Sequence, residues 1–307
     1  MPYVEQAFDR AFLARLHGLR EAGDLVEMAA VVAEADGHAF DIAGTSMLLD
    51  DLARALQDLP LADAPCADRA RILSDAFVRR LGFNGCDSDY YNPRNSYLDH
   101  VLTRREGIPV SLALVYLELG RRLDLRLVGV NFPGHFLVAV LEADGNEGVL
   151  IDPFGNIVLS HAECAERLKR QFGAQAVLQP EHFVRASRQG IAVRMLGNLK
   201  AIRVNSGDTA AAVRLCSAAL EIMPDHPGEL SDRARLLEHL DRWDEAIDDL
   251  VALKSLLGQE HLRDTSGAAP SEEALKDARR QQDLKAAFAA IDQRIDELRR
   301  RARPILH

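Results

Sequence analysis

Residues 104–156 read RREGIPVSLALVYLELGRRLDLRLVGVNFPGHFLVAVLEADGNEGVLIDPFGN, and a change of period inside them decides the fold. Gly107-Ile108-Pro109 opens an apolar run that reads as helix to about Leu123, because proline suits a helix's first position. Leu112, Val115, Tyr116 and Leu119 recur at three- and four-residue spacing, as on a core-facing helix. After Asp124 the period shortens. Leu127–Val130 and His135–Val140 are short β-branched runs, Ala143–Gly148 is turn chemistry, and Val149–Ile151 is a third strand ending at Asp152-Pro153. A buried helix followed by strands that carry a His and then an Asp is the layout of a cysteine-type acyl-transfer core. In such a core the nucleophile sits at the helix start, where the dipole lowers its pKa.

Working outward, four phrases run in order: Asp89-Tyr90-Tyr91-Asn92-Pro93-Arg94-Asn95-Ser96, Gly107-Ile108-Pro109-Val110-Ser111-Leu112, Phe132-Pro133-Gly134-His135-Phe136-Leu137 and Ile151-Asp152-Pro153-Phe154-Gly155. Together they resemble the transglutaminase-like (papain-related) superfamily. More closely, they resemble the bacterial SirB-type invasion-regulator family, in which such a domain is joined to tetratricopeptide repeats. The resemblance implies an α+β fold: a papain-like core of helix against antiparallel strands, with an N-terminal helical layer and a C-terminal repeat region. It also implies a regulatory role. Members have been linked to expression of invasion genes, and a eukaryotic F-box relative uses a similar domain in a ubiquitin ligase.

The candidate chemistry lies on Ser111, His135 and Asp152. Asp152 ends the strand that follows the His135 strand, so antiparallel pairing lets the carboxylate orient the imidazole. Active members of the superfamily carry Gly-x-Cys at the helix start, followed by Ala. Aligned on Gly107, Ala113 and Leu123, this chain has Pro109 in the cysteine's place. Proline has no nucleophile. Ser111 lies about 200° further round the helix, and a serine in the first turn often only satisfies a free backbone N–H. The loop phrase Tyr91-Asn92-Pro93-x-Asn95-Ser96 either ties an irregular segment beneath the pocket or lines it.

Upstream, residues 4–59 read as three helices, the third capped by Thr45 or Ser46, and a fourth runs from about Ala67 to Leu81. Tyr97–Thr103 is a short helix carrying Asp99 and His100. Downstream, His161–Phe172 is a helix with Leu168 and Phe172 inward.

Beyond Val193 an offset of 34 pairs Leu196 with Leu230, Ala212 with Ala246, Val213 with Ile247 and Cys216 with Leu250. That is the tetratricopeptide period, with Ala212 and Ala246 where two helices approach closely. Asp208 and Asp241 fall in the turns, and Trp243 opens the last helix of the pair. The organisation expected is a domain over 1–190, repeats over 191–258, a linker over 259–270 and a final helix over 271–307. On that helix Leu284, Phe288, Ile291, Ile295 and Leu298 form a narrow stripe, either a cap over the repeats or a homodimer seam.

The chain's 307 residues carry a net charge of −10, which gives nucleic-acid binding no general support. No signal peptide or transmembrane run is visible, so no membrane partner is expected and the compartment expected is the cytoplasm. Cys66, Cys86, Cys164 and Cys216 are widely spaced and read as free buried thiols. His100, His135 and Asp152 lack close ligand spacing, so neither metal nor cofactor is expected. Two functions fit these residues. One is a non-catalytic transglutaminase-like module that holds a protein partner through its pocket and repeats. The other is an amide or ester hydrolase or acyltransferase using Ser111, His135 and Asp152. The absent nucleophile and the repeats favour the first.

Overall fold

The structure, a computed structural model, describes residues 8–20, 23–142, 147–264 and 273–302. Its first compact unit is Phe8–Ile202. It opens with α1 (Arg10–Gly18), α2 (Leu25–Ala35), α3 (Ile42–Arg54) and α4 (Cys66–Arg79). The third of these is capped earlier than expected. The Asp41 carboxylate accepts the Gly44 N–H at 3.0 Å, and Thr45, expected as a cap, is buried inside the helix. Aspartate competes as well as serine for that position.

A short parallel pair, β1 (Asn84–Gly85) with β2 (Glu106–Gly107), brackets α5 (Leu98–Arg104) and leads into α6 (Pro109–Arg122). The helix expected to face the core is buried on every side. Every residue of α6 from Val110 to Gly120 is buried. The helix packs against α3 and α5 as well as against the first two strands of the sheet, so it has no solvent face. Its one acid, Glu118, is held by Arg121 and Arg122.

β3 (Leu127–Val130), β4 (Leu137–Leu141), β5 (Glu147–Asp152) and β6 (Ile157–Leu159) form one antiparallel sheet in chain order. The fourth strand was not expected, since Ile157-Val158-Leu159 is too short to show a period. Val138 pairs with Ile151, and that register sets Asp152 level with Leu137 at one end of the sheet. His135 lies just before β4, in a tight turn whose N–H bonds Phe132 O at 2.9 Å. Gly134 serves that turn with φ +71°, a conformation a side chain resists. α7 (His161–Phe172) then packs Cys164 and Leu168 against Leu137, Leu150 and Leu159, but Phe172, expected inward, is exposed. Most of α8 (Arg188–Asn205) completes this unit.

The second unit starts at Arg203, later than the expected boundary at 190, and is helical: α9 (Thr209–Ile222), α10 (Pro227–His239), α11 (Trp243–Asp264) and α12 (Glu273–Ala302). Ala212 and Ala246 are both buried in one cluster with Cys216 and Leu237, as the repeat spacing predicts. Asp208 caps α9, and Asp241 takes φ +57° in the turn before α11. α11 runs to Asp264, into the segment expected as linker; residues 265–270 lie outside the described residues. The stripe on α12 is used within the chain, where Ile295 and Leu298 join the same cluster and Ile291 packs against it.

Candidate functional site

The loop before α6 is fastened by amides. Asn92 accepts the Arg94 N–H at 3.0 Å and donates to Asp89 at 2.7 Å. Asn95, wholly buried, donates to Asp89 O at 2.7 Å and accepts from Arg104 at 2.9 Å. Ser96 is buried beside it, whereas Tyr91 is exposed. Tyr91 meets Tyr90 edge-on, and Tyr90 meets Phe154 at 6.1 Å in the same manner.

Pro109 is the first residue of α6. The Ser111 side chain has no exposure. Its hydroxyl accepts the Ile108 N–H at 3.1 Å and donates toward Asn95 O at 2.6 Å, with Ile108 O at 3.1 Å. Glycine at 107 permits this close approach, because a Cβ there would come within 2.7 Å of Ser111 Oγ. The serine thus ties the start of α6 to the Asn95 loop.

Asp152 and His135 are brought to the same end of the sheet. Asp152, 4% exposed, accepts the Phe154 N–H at 3.0 Å and the Arg167 guanidinium at 2.6 Å. Neither Asp152 nor Ser111 hydrogen-bonds the His135 ring among the described residues. Burial, and after it the charge of Arg167, hold the His135 imidazole below its ordinary pKa, against the pull of Asp152; Arg194 and Arg170 add to the lowering. Arg194 donates to Asn131 at 2.5 Å and lies over the Phe136 ring. Arginines therefore border the histidine, an arrangement that keeps the ring neutral and suits an acidic group nearby.

The sequence reading missed Arg167 and Arg194. It also missed that β1–β2 pairing brings Cys86 to the start of α6, where its N–H bonds Gly107 O at 3.0 Å. Cys86 is buried, as are the other three cysteines. Burial pushes the Cys66 thiol up, and the Cys164 thiol to about 11, away from thiolate chemistry.

The transglutaminase-like superfamily pattern matches residues 44–197, which spans the loop, α6 and the sheet with its His135–Asp152 end. The chain belongs to that superfamily. A tetratricopeptide-repeat pattern follows over residues 199–270. Among similar proteins, a UPF0162 protein of Xylella fastidiosa is 36% identical over 192 residues, covering 60% of this chain and 66% of its own. A UPF0162 protein of Pseudomonas aeruginosa is 36% identical over 225 residues, covering 72% of this chain and 80% of its own. F-box only protein 21 of Homo sapiens is 34% identical over 193 residues, which cover 60% of this chain and 30% of that protein. The chain thus spans a little under two thirds of the Xylella relative and under a third of the F-box protein. No solved structure matches. Among the described residues no helix is long and apolar enough to cross a membrane.

Proposed function

We propose that this superfamily member is a non-catalytic, cytoplasmic regulatory protein of the SirB type that holds a protein partner through its pocket and its tetratricopeptide-like helices. The observation that carries the reading is the state of Ser111. Its hydroxyl is out of solvent and committed to backbone atoms of Asn95 and Ile108, and the alignment of the sequence with the superfamily's Gly-x-Cys puts Pro109 in the cysteine's place. Asp152 supports the same reading, since it bonds Arg167 rather than the imidazole that it would have to orient. What remains around His135 is recognition chemistry: exposed Tyr91, the partly buried imidazole and the arginines around it. Likeness to an F-box protein fits a role in protein assemblies, and repeats of this type stack into binding surfaces. A homodimer through α12 is disfavoured because the stripe is already packed within the chain.

The competing reading keeps Ser111, His135 and Asp152 as nucleophile, base and orienter of a hydrolase or acyltransferase. It requires Ser111 to leave three backbone contacts. To test between the two, the full chain is assayed with chromogenic esters, anilides and a glutamine–amine transfer pair. The expected result is no turnover above the buffer rate. A rate that disappears in both Ser111→Ala and His135→Ala, with folding intact, overturns the proposal.

A further inference from the structure

A second cluster, made by residues far apart in sequence, gathers at the start of α5. His38 sits in the turn after α2, just past Gly37 at φ +84°. Asp99 and His100 stand in the first turn of α5. His38 Nε2 is 2.8 Å from Asp99 Oδ2, and one donor atom from each of the three residues lies within 4.8 Å of the others.

The surroundings hold these groups in place. The Tyr97 ring stacks on the His38 ring at 4.2 Å and 3°, and its hydroxyl donates to Asp36 at 2.5 Å, so the imidazole plane is fixed. Thr103 Oγ1 donates to the Asp99 carbonyl at 2.8 Å. The second carboxylate oxygen, Asp99 Oδ1, is buried and has no hydrogen-bond partner among the described residues. An acceptor left so costs stability unless a ligand takes it up. Asp99 also lines an open cleft of about 420 Å³, together with Asp41, Thr45, Asp51 and Thr103.

We propose that His38, Asp99 and His100 bind a first-row divalent metal ion of the zinc class, with the remaining coordination position facing this cleft. Two imidazoles and one carboxylate are borderline donors, suited to Zn²⁺, Co²⁺ or Ni²⁺ rather than to Ca²⁺ or Mg²⁺, which take oxygen shells. Three protein ligands leave room for a water, as in open zinc sites. Ligand–metal distances of about 2.0–2.2 Å put tetrahedral donors roughly 3.3 Å apart. The His38–Asp99 pair, now hydrogen-bonded at 2.8 Å, would open by about half an ångström to admit an ion, and the three donor atoms, within 4.8 Å of one another, would draw together around it. Burial holds His100 below its ordinary pKa, which leaves a free nitrogen lone pair at neutral pH. The cations whose charge reaches His100 are Arg94 and Arg104; Arg104 is engaged by Asn95 and Glu106, and the cleft supplies the acids Asp41 and Asp51. A bound ion would pin the α2–α3 turn to α5.

The test uses the full chain, stripped of metal by a chelator, titrated with Zn²⁺ by calorimetry and with Co²⁺ by visible absorption. Saturable binding of one equivalent is expected, with d–d bands of low-symmetry Co²⁺ and a Zn²⁺-dependent rise in Tm. Asp99→Asn and His38→Ala should each weaken binding by more than about tenfold, since even outer-shell changes cost that much. Their metal-free Tm values should stay close to the parent's. If His38→Ala does not fold, the half-exposed His100→Gln takes its place. Absence of saturable binding in the parent, or unchanged binding in the folded variants, overturns the proposal.

Discussion

The Arg233–Asp249 pair in the repeat helices and the Arg167–Asp152 pair at the sheet end are both largely withdrawn from solvent, yet they are built differently. Arg233 holds Asp249 with two prongs, at 2.8 and 2.6 Å, and gives a third bond to Ser217 at 3.1 Å. Each side-chain nitrogen and oxygen of that pair is bonded. Arg167 reaches Asp152 with a single bond at 2.6 Å, beside a histidine whose ring bonds to neither. The first pair fastens α10 to α11; the second leaves donor capacity beside His135 at the sheet end. Burial of charge alone therefore does not mark a site. The unspent hydrogen-bonding capacity does.

The comparison is most easily broken by removing one partner of each pair. Asp249→Ala strands a buried guanidinium and should cost about 3–5 kcal/mol in urea unfolding. Asp152→Ala should cost less, about 2 kcal/mol, because Arg167 lies closer to solvent and can regain water. Equal losses would mean that the sheet-end pair is a staple too. Ser111→Ala comes next, at about 1–3 kcal/mol for an orphaned buried N–H, with no change in any measured turnover.

Smaller still is the response of His135. Arg167→Ala should raise its pKa in an NMR titration, since the arginine's charge lowers it and Asp152 would be left to raise it. The sign for stability follows from linkage. His135 and His100 are both held below their ordinary value when folded, so below about pH 6.5 the unfolded chain takes up protons that the folded chain does not. Stability should fall with acid through that window, and His135→Gln should flatten part of the slope. Tyr91→Ala, at an exposed ring, should leave stability within about 0.5 kcal/mol.

Much of this was legible in the residues. The switch from a run of Leu, Val and Tyr to β-branched alternation locates α6 and the first three strands, and the offset pairing Ala212 with Ala246 locates the repeat. What the pattern hides depends on long-range pairing. Nothing local says that Asn84–Gly85 runs beside Glu106–Gly107 and brings Cys86 to the head of α6. His38 shares no motif with Asp99 and His100, so that cluster is invisible until α2 and α5 meet. Arg167 had one faint signal. Ser160 and Glu163 make a reciprocal cap that fixes where α7 starts, and the helix period from there turns Arg167 toward the sheet end. Phe172 misled for a related reason: at the frayed end of α7, apolar periodicity no longer has a core to face.

The most direct test of the central claim is intact-mass analysis after reaction with a fluorophosphonate, which labels activated serines. The account predicts no adduct on Ser111 at neutral pH, since its hydroxyl is buried and bonded to backbone and has no base beside it. A stoichiometric adduct mapped to Ser111, absent in His135→Ala, would show an active nucleophile and contradict it.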